Sequence, residues 1–121
     1  MKKIYHLSNC NTCQRIIDEL NLTKKDFIFQ DIKTEKITEK QLLELKKLTG
    51  SYETIFSKIA RKYRELELNT KTLTEDDFKN YILQEYTFLK RPVIIIDKKV
   101  FVGNSKSTIM EAKNYCNFDL Q

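Results

Sequence analysis

The sequence predicts an α/β fold with a mixed central sheet, in the order β-α-β, a helical insert, then β-β-α. Three observations predict it. Short apolar runs flank a helical period within the first 32 residues, helical periods fill the middle, and the continuous β-branched run Val93-Ile94-Ile95-Ile96 is followed by a turn and a second short apolar run. A chain of 121 residues is enough for one core, so a single domain over 1–121 is expected, with the helical insert at about 38–88.

Each element has its own signal. Ile4-Tyr5-His6-Leu7 reads as the first strand, running into the polar loop Ser8-Asn9. Cys13, Ile16, Ile17 and Leu20 fall at i, i+3, i+4 and i+7, one face of a helix. Asp26 to Ile32 alternates in part and suits a second strand parallel to the first, in a right-handed βαβ unit. Thr38 with Gln41 forms a capping box, and Leu42, Leu45 and Leu48 carry that helix to Gly50. Tyr52, Ile55, Phe56, Ile59, Ala60 and Tyr63 keep a helical period, and Thr74-Glu75-Asp76-Asp77 caps a helix bearing Phe78, Tyr81 and Ile82. After Pro92, the run Val93–Ile96 reads as a buried central strand. Asp97-Lys98-Lys99 is the turn, and Val100-Phe101-Val102 the returning strand, ending at Gly103. Ser105 opens a last helix with Ile109, Ala112 and Cys116 inward.

Composition narrows the function classes. Apolar residues are 40% and charged residues 32%, the balance of a globular protein. The longest apolar run is far short of a bilayer span, and the basic start Met1-Lys2-Lys3 lacks the apolar stretch of a secretory signal. A cytoplasmic protein with no membrane contact is expected. The net charge of +5 comes from scattered lysines, which read as solvated faces and not as a nucleic-acid surface. One local stripe, Lys58, Arg61 and Lys62, would share a helix face; a solvated face is the plainer reading, and an anion or an acidic protein the functional one.

Chemistry concentrates in Cys10-Asn11-Thr12-Cys13. A thiol attacks as thiolate, and a cysteine at a helix N-terminus gains from free backbone N–H groups and the helix dipole. Cys10 meets the helix from the loop side and reads as the nucleophile, whereas Cys13, one turn on, reads as the resolving thiol. Arg15 adds positive charge, and Asn11 and Thr12, between the two cysteines, are supporting residues. His6 is either a tuner of the thiol or a residue satisfied at the end of its strand. Two inert buried cysteines are the plainer alternative. A zinc site is disfavoured, because the chain has three cysteines, one histidine and no second Cys-x-x-Cys. No metal and no bound cofactor are expected. Cys116 reads as a packing residue.

A second site lies at Lys90-Arg91-Pro92. Proline directly before a buried strand is unusual, because it cannot donate to a ladder. The element order is that of a thioredoxin-like fold, and the resemblance implies a cis Arg91–Pro92 bond facing the cysteine loop. Arg91 would then project beside the thiol to hold a thiolate or an oxyanion.

These residues resemble the arsenate reductase (ArsC) and Spx family over nearly the whole chain. His6 four residues before Cys10 is similar to the arsenate reductase loop, and Cys10-x-x-Cys13 is similar to the Spx redox switch. Leu89 to Lys99, with Val102-Gly103, resembles the matching Spx segment. The resemblance implies a thiol–disulfide oxidoreductase with Cys10 as nucleophile and Arg91 as anion holder. Glutathione, glutaredoxin or thioredoxin would be the electron donor. Of three arginines that arsenate reductases use, only Arg91 is matched. Ser57 and Lys58 stand at the second position and Gly103-Asn104 at the third, which argues against arsenate as substrate. Lys58 and Asn104 are the candidate substitutes for anion binding. The alternative implied is an Spx-like redox regulator that binds the C-terminal domain of the RNA polymerase alpha subunit, with Gly50 at that interface. The chain also ends sooner after its last helix than Spx proteins do. A monomer is expected.

Overall fold

A computed structural model describes residues 1–119. In chain order the elements are β1 (Lys2–His6), α1 (Asn11–Glu19), β2 (Ile28–Asp31), α2 (Glu39–Thr49), α3 (Tyr52–Ile55), α4 (Arg61–Glu65), α5 (Glu75–Gln84), β3 (Val93–Ile96), β4 (Lys99–Val102) and α6 (Lys106–Asp119). They fall into two compact units: Met1–Ile32 together with the chain from Arg91 onward, and Lys33–Lys90.

The first unit is built on a mixed four-stranded sheet in the order β2-β1-β3-β4. β1 runs parallel to β2 and antiparallel to β3, and β3 is antiparallel to β4. Thioredoxin-like topology thus follows from the predicted element order. β3 is central and all four of its residues are buried, which is why its sequence is uninterrupted Val and Ile. Truncating Ile95 to Ala at such a site costs about 2–5 kcal/mol. Ile16 and Ile17 of α1 pack with Ile4, Ile94, Ile96 and Phe101 of the sheet, and α6 adds Ala112 and Cys116. Cys116 is therefore a core residue. The β3–β4 turn is narrower than expected: Asp97-Lys98 alone makes it, with Asp97 left-handed (φ 57), and Lys99 already pairs with Ile96. Among the described residues no helix is long and apolar enough to cross a membrane.

The second unit is helical. The expected capping box of Thr38 with Gln41 is formed, and the cap signal at Thr74 is a second box, closed with Asp77. Gly50 ends α2 in the left-handed region (φ 101), a conformation that favours glycine. One expectation fails. The helical period over Tyr52–Tyr63 does not make one helix, and α3 and α4 are separate. Between them Phe56 bridges Leu89, the Ser57 N–H donates to the Phe88 carbonyl (2.7 Å), and the Lys90 N–H donates to the Ile55 carbonyl (2.9 Å). These long-range bonds replace the i→i−4 bonds that would have continued α3. Ile59 consequently stands 88% exposed instead of joining the buried face. Phe56 instead stacks on Phe88, with ring centroids 5.0 Å apart.

Candidate functional site

The site begins where β1 ends. The Cys10 N–H donates to the Leu7 carbonyl (3.2 Å), closing a turn through Ser8 and Asn9. Leu7 is buried and anchors the turn's base. Cys10 follows in extended conformation as the N-cap of α1 (φ −105, ψ 111), and its carbonyl accepts the first intrahelical bond from Gln14. Its Sγ takes the place usually filled by a capping oxygen and accepts the Cys13 N–H at 3.4 Å.

The two thiols are driven in opposite directions. Burial pushes the Cys10 thiol up. The Cys13 backbone N–H and thiol, the Thr12 backbone and the charge of Arg91 outweigh it, and the pKa falls below its ordinary value. Cys13 is fully buried, and burial pushes its thiol up to about 11. The Leu7 backbone opposes that rise, while the hydrogen bond and charge of Cys10 add to it. Cys10 is half-exposed, so the thiol with the lower pKa is also the one open to solvent.

Arg91 and Pro92 belong to the same unit. The Arg91–Pro92 bond is cis. Pro92 is buried, and its carbonyl accepts from the Gly103 N–H (2.9 Å) at the end of β4. Arg91 is half-buried and its charge lowers the pKa of both cysteines.

The remaining predicted residues divide. Thr12 contributes through its backbone, and Asn11 and Arg15 are exposed on the first turns of α1. His6 is held by β2: its ring meets Phe29 edge-on at 5.5 Å, and it lies in register with Asp31. Burial lowers its pKa, Asp31 and the Leu7 backbone raise it, and Lys24 lowers it. Its Nδ1 is buried and has no hydrogen-bond partner among the described residues. The groups that lower the Cys10 pKa are Cys13, Thr12 and Arg91. Asn104 is exposed just after β4. Lys58 lies in the second unit, in the turn before α4 and not on a helix; it is exposed and paired with Glu53 (2.9 Å). The anticipated helical face of Lys58, Arg61 and Lys62 is therefore not formed, because the helix is interrupted there.

Two residues at the site escape sequence reasoning. The Ser8 hydroxyl, in the turn that delivers Cys10, donates to the Asp31 carboxylate at the end of β2. The available signal is a polar turn residue and an acidic strand end that parallel pairing brings side by side.

The ArsC family matches residues 5–112, a span that includes Cys10, Cys13, Arg91 and Pro92. The chain belongs to the ArsC family. This ArsC-family chain is 23% identical over 124 residues to the global transcriptional regulator Spx 2 of Bacillus cereus, covering 98% of itself and 95% of that protein. The length expected to separate it from Spx proteins is thus small for this relative. It is 24% identical over 102 residues to the global transcriptional regulator Spx of Streptococcus pneumoniae, covering 84% of itself and 77% of that protein. Among solved structures it resembles an ArsC family related protein from Bacteroides fragilis (TM-score 0.75, 22% identity, 92% of this chain and 96% of that one). It also resembles an arsenate reductase from Vibrio cholerae (TM-score 0.76, 16% identity, 92% and 96%). At these identities the structural likenesses establish the fold, and the curated relatives are named as global transcriptional regulators.

Proposed function

We propose that this ArsC-family chain is a thiol–disulfide oxidoreductase with Cys10 as nucleophile and Cys13 as resolving thiol. The observation that carries it is the opposite displacement of the two thiols: Cys10 below its ordinary pKa at the helix mouth, Cys13 buried and raised to about 11. The Cys10 thiolate attacks one sulfur of a substrate disulfide, a mixed disulfide forms, and the other sulfur leaves as thiolate. At that moment Cys10 no longer carries a charge, and its contribution to raising Cys13 disappears. Cys13 then loses its proton, attacks the Cys10 sulfur, and releases the second substrate thiolate, which is protonated. The substrate disulfide has been reduced and the Cys10–Cys13 dithiol oxidised. Glutathione, glutaredoxin or thioredoxin restores the dithiol by the same exchange in reverse. Arg91 steadies the thiolate charge at the start.

The fitting substrate is a disulfide, not arsenate. An oxyanion must have its own negative charge held while a thiolate approaches, and Arg91 is the one matched arginine. Thiol-coupled turnover with glutathione, glutaredoxin and thioredoxin as alternative donors tests the reading, with Cys10→Ser as control. Disulfide reduction that vanishes in Cys10→Ser supports it, whereas reduction that persists overturns it.

A second reading is supported by relatives named as global transcriptional regulators: the family resemblance implies an oxidation-sensing regulator whose partner is the C-terminal domain of the RNA polymerase alpha subunit. The same cysteine pair would then be a switch and not a catalyst. Gly50, left-handed at the end of α2, is the candidate contact. Titration of that domain against reduced and oxidised protein separates the two readings. Tight, redox-dependent binding without thiol-coupled turnover would select the regulator.

A further inference from the structure

The turn Leu7-Ser8-Asn9-Cys10 fixes where the nucleophilic sulfur sits, and its backbone has one closing bond, Cys10 N–H to Leu7 carbonyl. At 3.2 Å that bond is long for N–H···O, and it leaves the outer corner of the turn, Ser8 and Asn9, exposed. The corner nevertheless has a tie. The Ser8 hydroxyl donates to a carboxylate oxygen of Asp31 at the last position of β2. Asp31 is itself placed by the sheet: it pairs in register with His6, and the next N–H, of Ile32, donates to the His6 carbonyl (3.0 Å). A rigid strand end therefore holds the corner of the loop that carries Cys10.

We propose that Asp31, acting through the Ser8 hydroxyl, is a positioning residue that keeps the Cys10 sulfur over the N-terminus of α1. This rests on the reading of Cys10 as the attacking thiolate. The contact that matters downstream is weak and directional: Cys10 Sγ accepts the Cys13 N–H at 3.4 Å. A small rotation of the turn moves Sγ off that donor, and the N–H groups that stabilise the thiolate lose alignment. The benefit of Asp31 is geometric, since a negative charge does not itself stabilise a thiolate. Because the tie is made by a charged acceptor, it is shorter and stronger than a neutral hydroxyl contact.

The test is the pH dependence of iodoacetamide alkylation at Cys10, followed by peptide mass mapping on the full chain. Ser8→Ala leaves the Asp31 charge in place and removes the tie. Its half-maximal pH should rise by about half a unit or more, equivalent to about threefold less thiolate at neutral pH. Ser8→Thr restores the hydroxyl and should return the midpoint to the wild-type value. Asp31→Asn keeps an acceptor without the charge and should stay at or slightly below wild type, whereas Asp31→Ala should rise. The double variant Ser8→Ala with Asp31→Ala should rise no further than Ser8→Ala. Slow labelling of Cys13 and Cys116 reports an intact fold in every variant. Where an alanine variant loses that protection, the Ser8→Thr and Asp31→Asn pair decides. A Ser8→Ala midpoint equal to wild type, additive effects in the double variant, or an Asp31→Asn midpoint raised like Asp31→Ala overturns the proposal. A wild-type midpoint at the ordinary cysteine value overturns the nucleophile reading instead, so the two failures are distinct.

Discussion

The Cys13 N–H points at the Cys10 sulfur across 3.4 Å, so one cysteine's backbone stabilises the other's thiolate while its own thiol lies buried beneath. Reactivity should follow that asymmetry. In partial alkylation at neutral pH, Cys10 should be modified well before Cys13 and Cys116. Its half-maximal pH should lie below the ordinary 9.0, and that of Cys13 near 11. Peptide mass mapping over a pH series measures both. Cys13 or Cys116 labelling first would contradict the assignment.

Mild oxidation should join Cys10 to Cys13. The N-cap geometry sets the two sulfurs on one helical turn, and neither is in a disulfide in this structure. Intact mass after peroxide should show the loss of two hydrogens in wild type and none in Cys13→Ser. A Cys10–Cys116 link would remove Cys13 from the resolving role, and would also require a core residue of α6 to leave its packing.

The buried Cys13 thiol should make the fold sensitive to alkali. Its folded pKa of about 11 lies above the ordinary 9.0 of an unfolded chain. The stabilisation is therefore complete below pH 9 and is lost as pH rises toward 11. A rise of that size is equivalent to about 2–3 kcal/mol. Urea unfolding of wild type and Cys13→Ser across this range measures it. The wild-type curve should fall relative to the variant by about that amount, and parallel curves would show that Cys13 is not buried as a neutral thiol.

Much of the site is legible in sequence because its signals are local. Cys10 and Cys13 lie within one helical turn, Arg91-Pro92 is punctuated by the chain's one proline, and the capping boxes at Thr38 and Thr74 are four-residue patterns. What fails depends on partners distant in sequence. The break between α3 and α4 is made by Leu89 and Phe88, more than thirty residues away, and no periodicity over Tyr52–Tyr63 can announce it. Lys58 reads as a free cation in sequence, and the turn places it on Glu53. The Ser8–Asp31 tie spans 23 residues and exists because parallel pairing aligns two strand ends. His6 stays ambiguous in sequence for a similar reason, since its surroundings come from Phe29 and Asp31 of the neighbouring strand.

The second unit offers a test of its own. The Glu75 carboxylate accepts both the Tyr52 N–H (2.7 Å) and the Glu53 N–H (3.2 Å), capping a four-residue helix that has too few internal bonds to stand alone. Glu75→Ala should destabilise the protein by about 1–3 kcal/mol, the range for hydrogen bonds to a charged acceptor. Glu75→Gln, with one acceptor oxygen, should fall between. Denaturant midpoints measure the loss. No change in either variant would mean that water replaces the carboxylate at that helix end.

Arsenate should be a poor substrate. Reducing it brings a thiolate to an oxyanion, and each charge-assisted contact that holds the oxyanion contributes about 1.5–3 kcal/mol. At the two positions where arginines are expected, Ser57 is buried and uncharged, and Asn104 is exposed and uncharged. Lys58 beside Ser57 already holds Glu53, and an ammonium lacks the bidentate geometry of a guanidinium. Two missing contacts amount to about 3–6 kcal/mol, or a rate lower on the order of a hundredfold or more. Glutathione- and glutaredoxin-coupled arsenate turnover should therefore be barely above the Cys10→Ser background, while disulfide reduction proceeds. A Ser57→Arg, Asn104→Arg double variant should gain tenfold or more with arsenate and little with a neutral disulfide, and folding controls are needed because Ser57 is buried. Arg91→Ala should weaken both activities, since its charge acts on the Cys10 thiolate itself. Efficient turnover of arsenate by wild type would refute this argument and make the oxyanion the substrate. An absent gain in a well-folded double variant would show that the missing cations belong elsewhere in the chain.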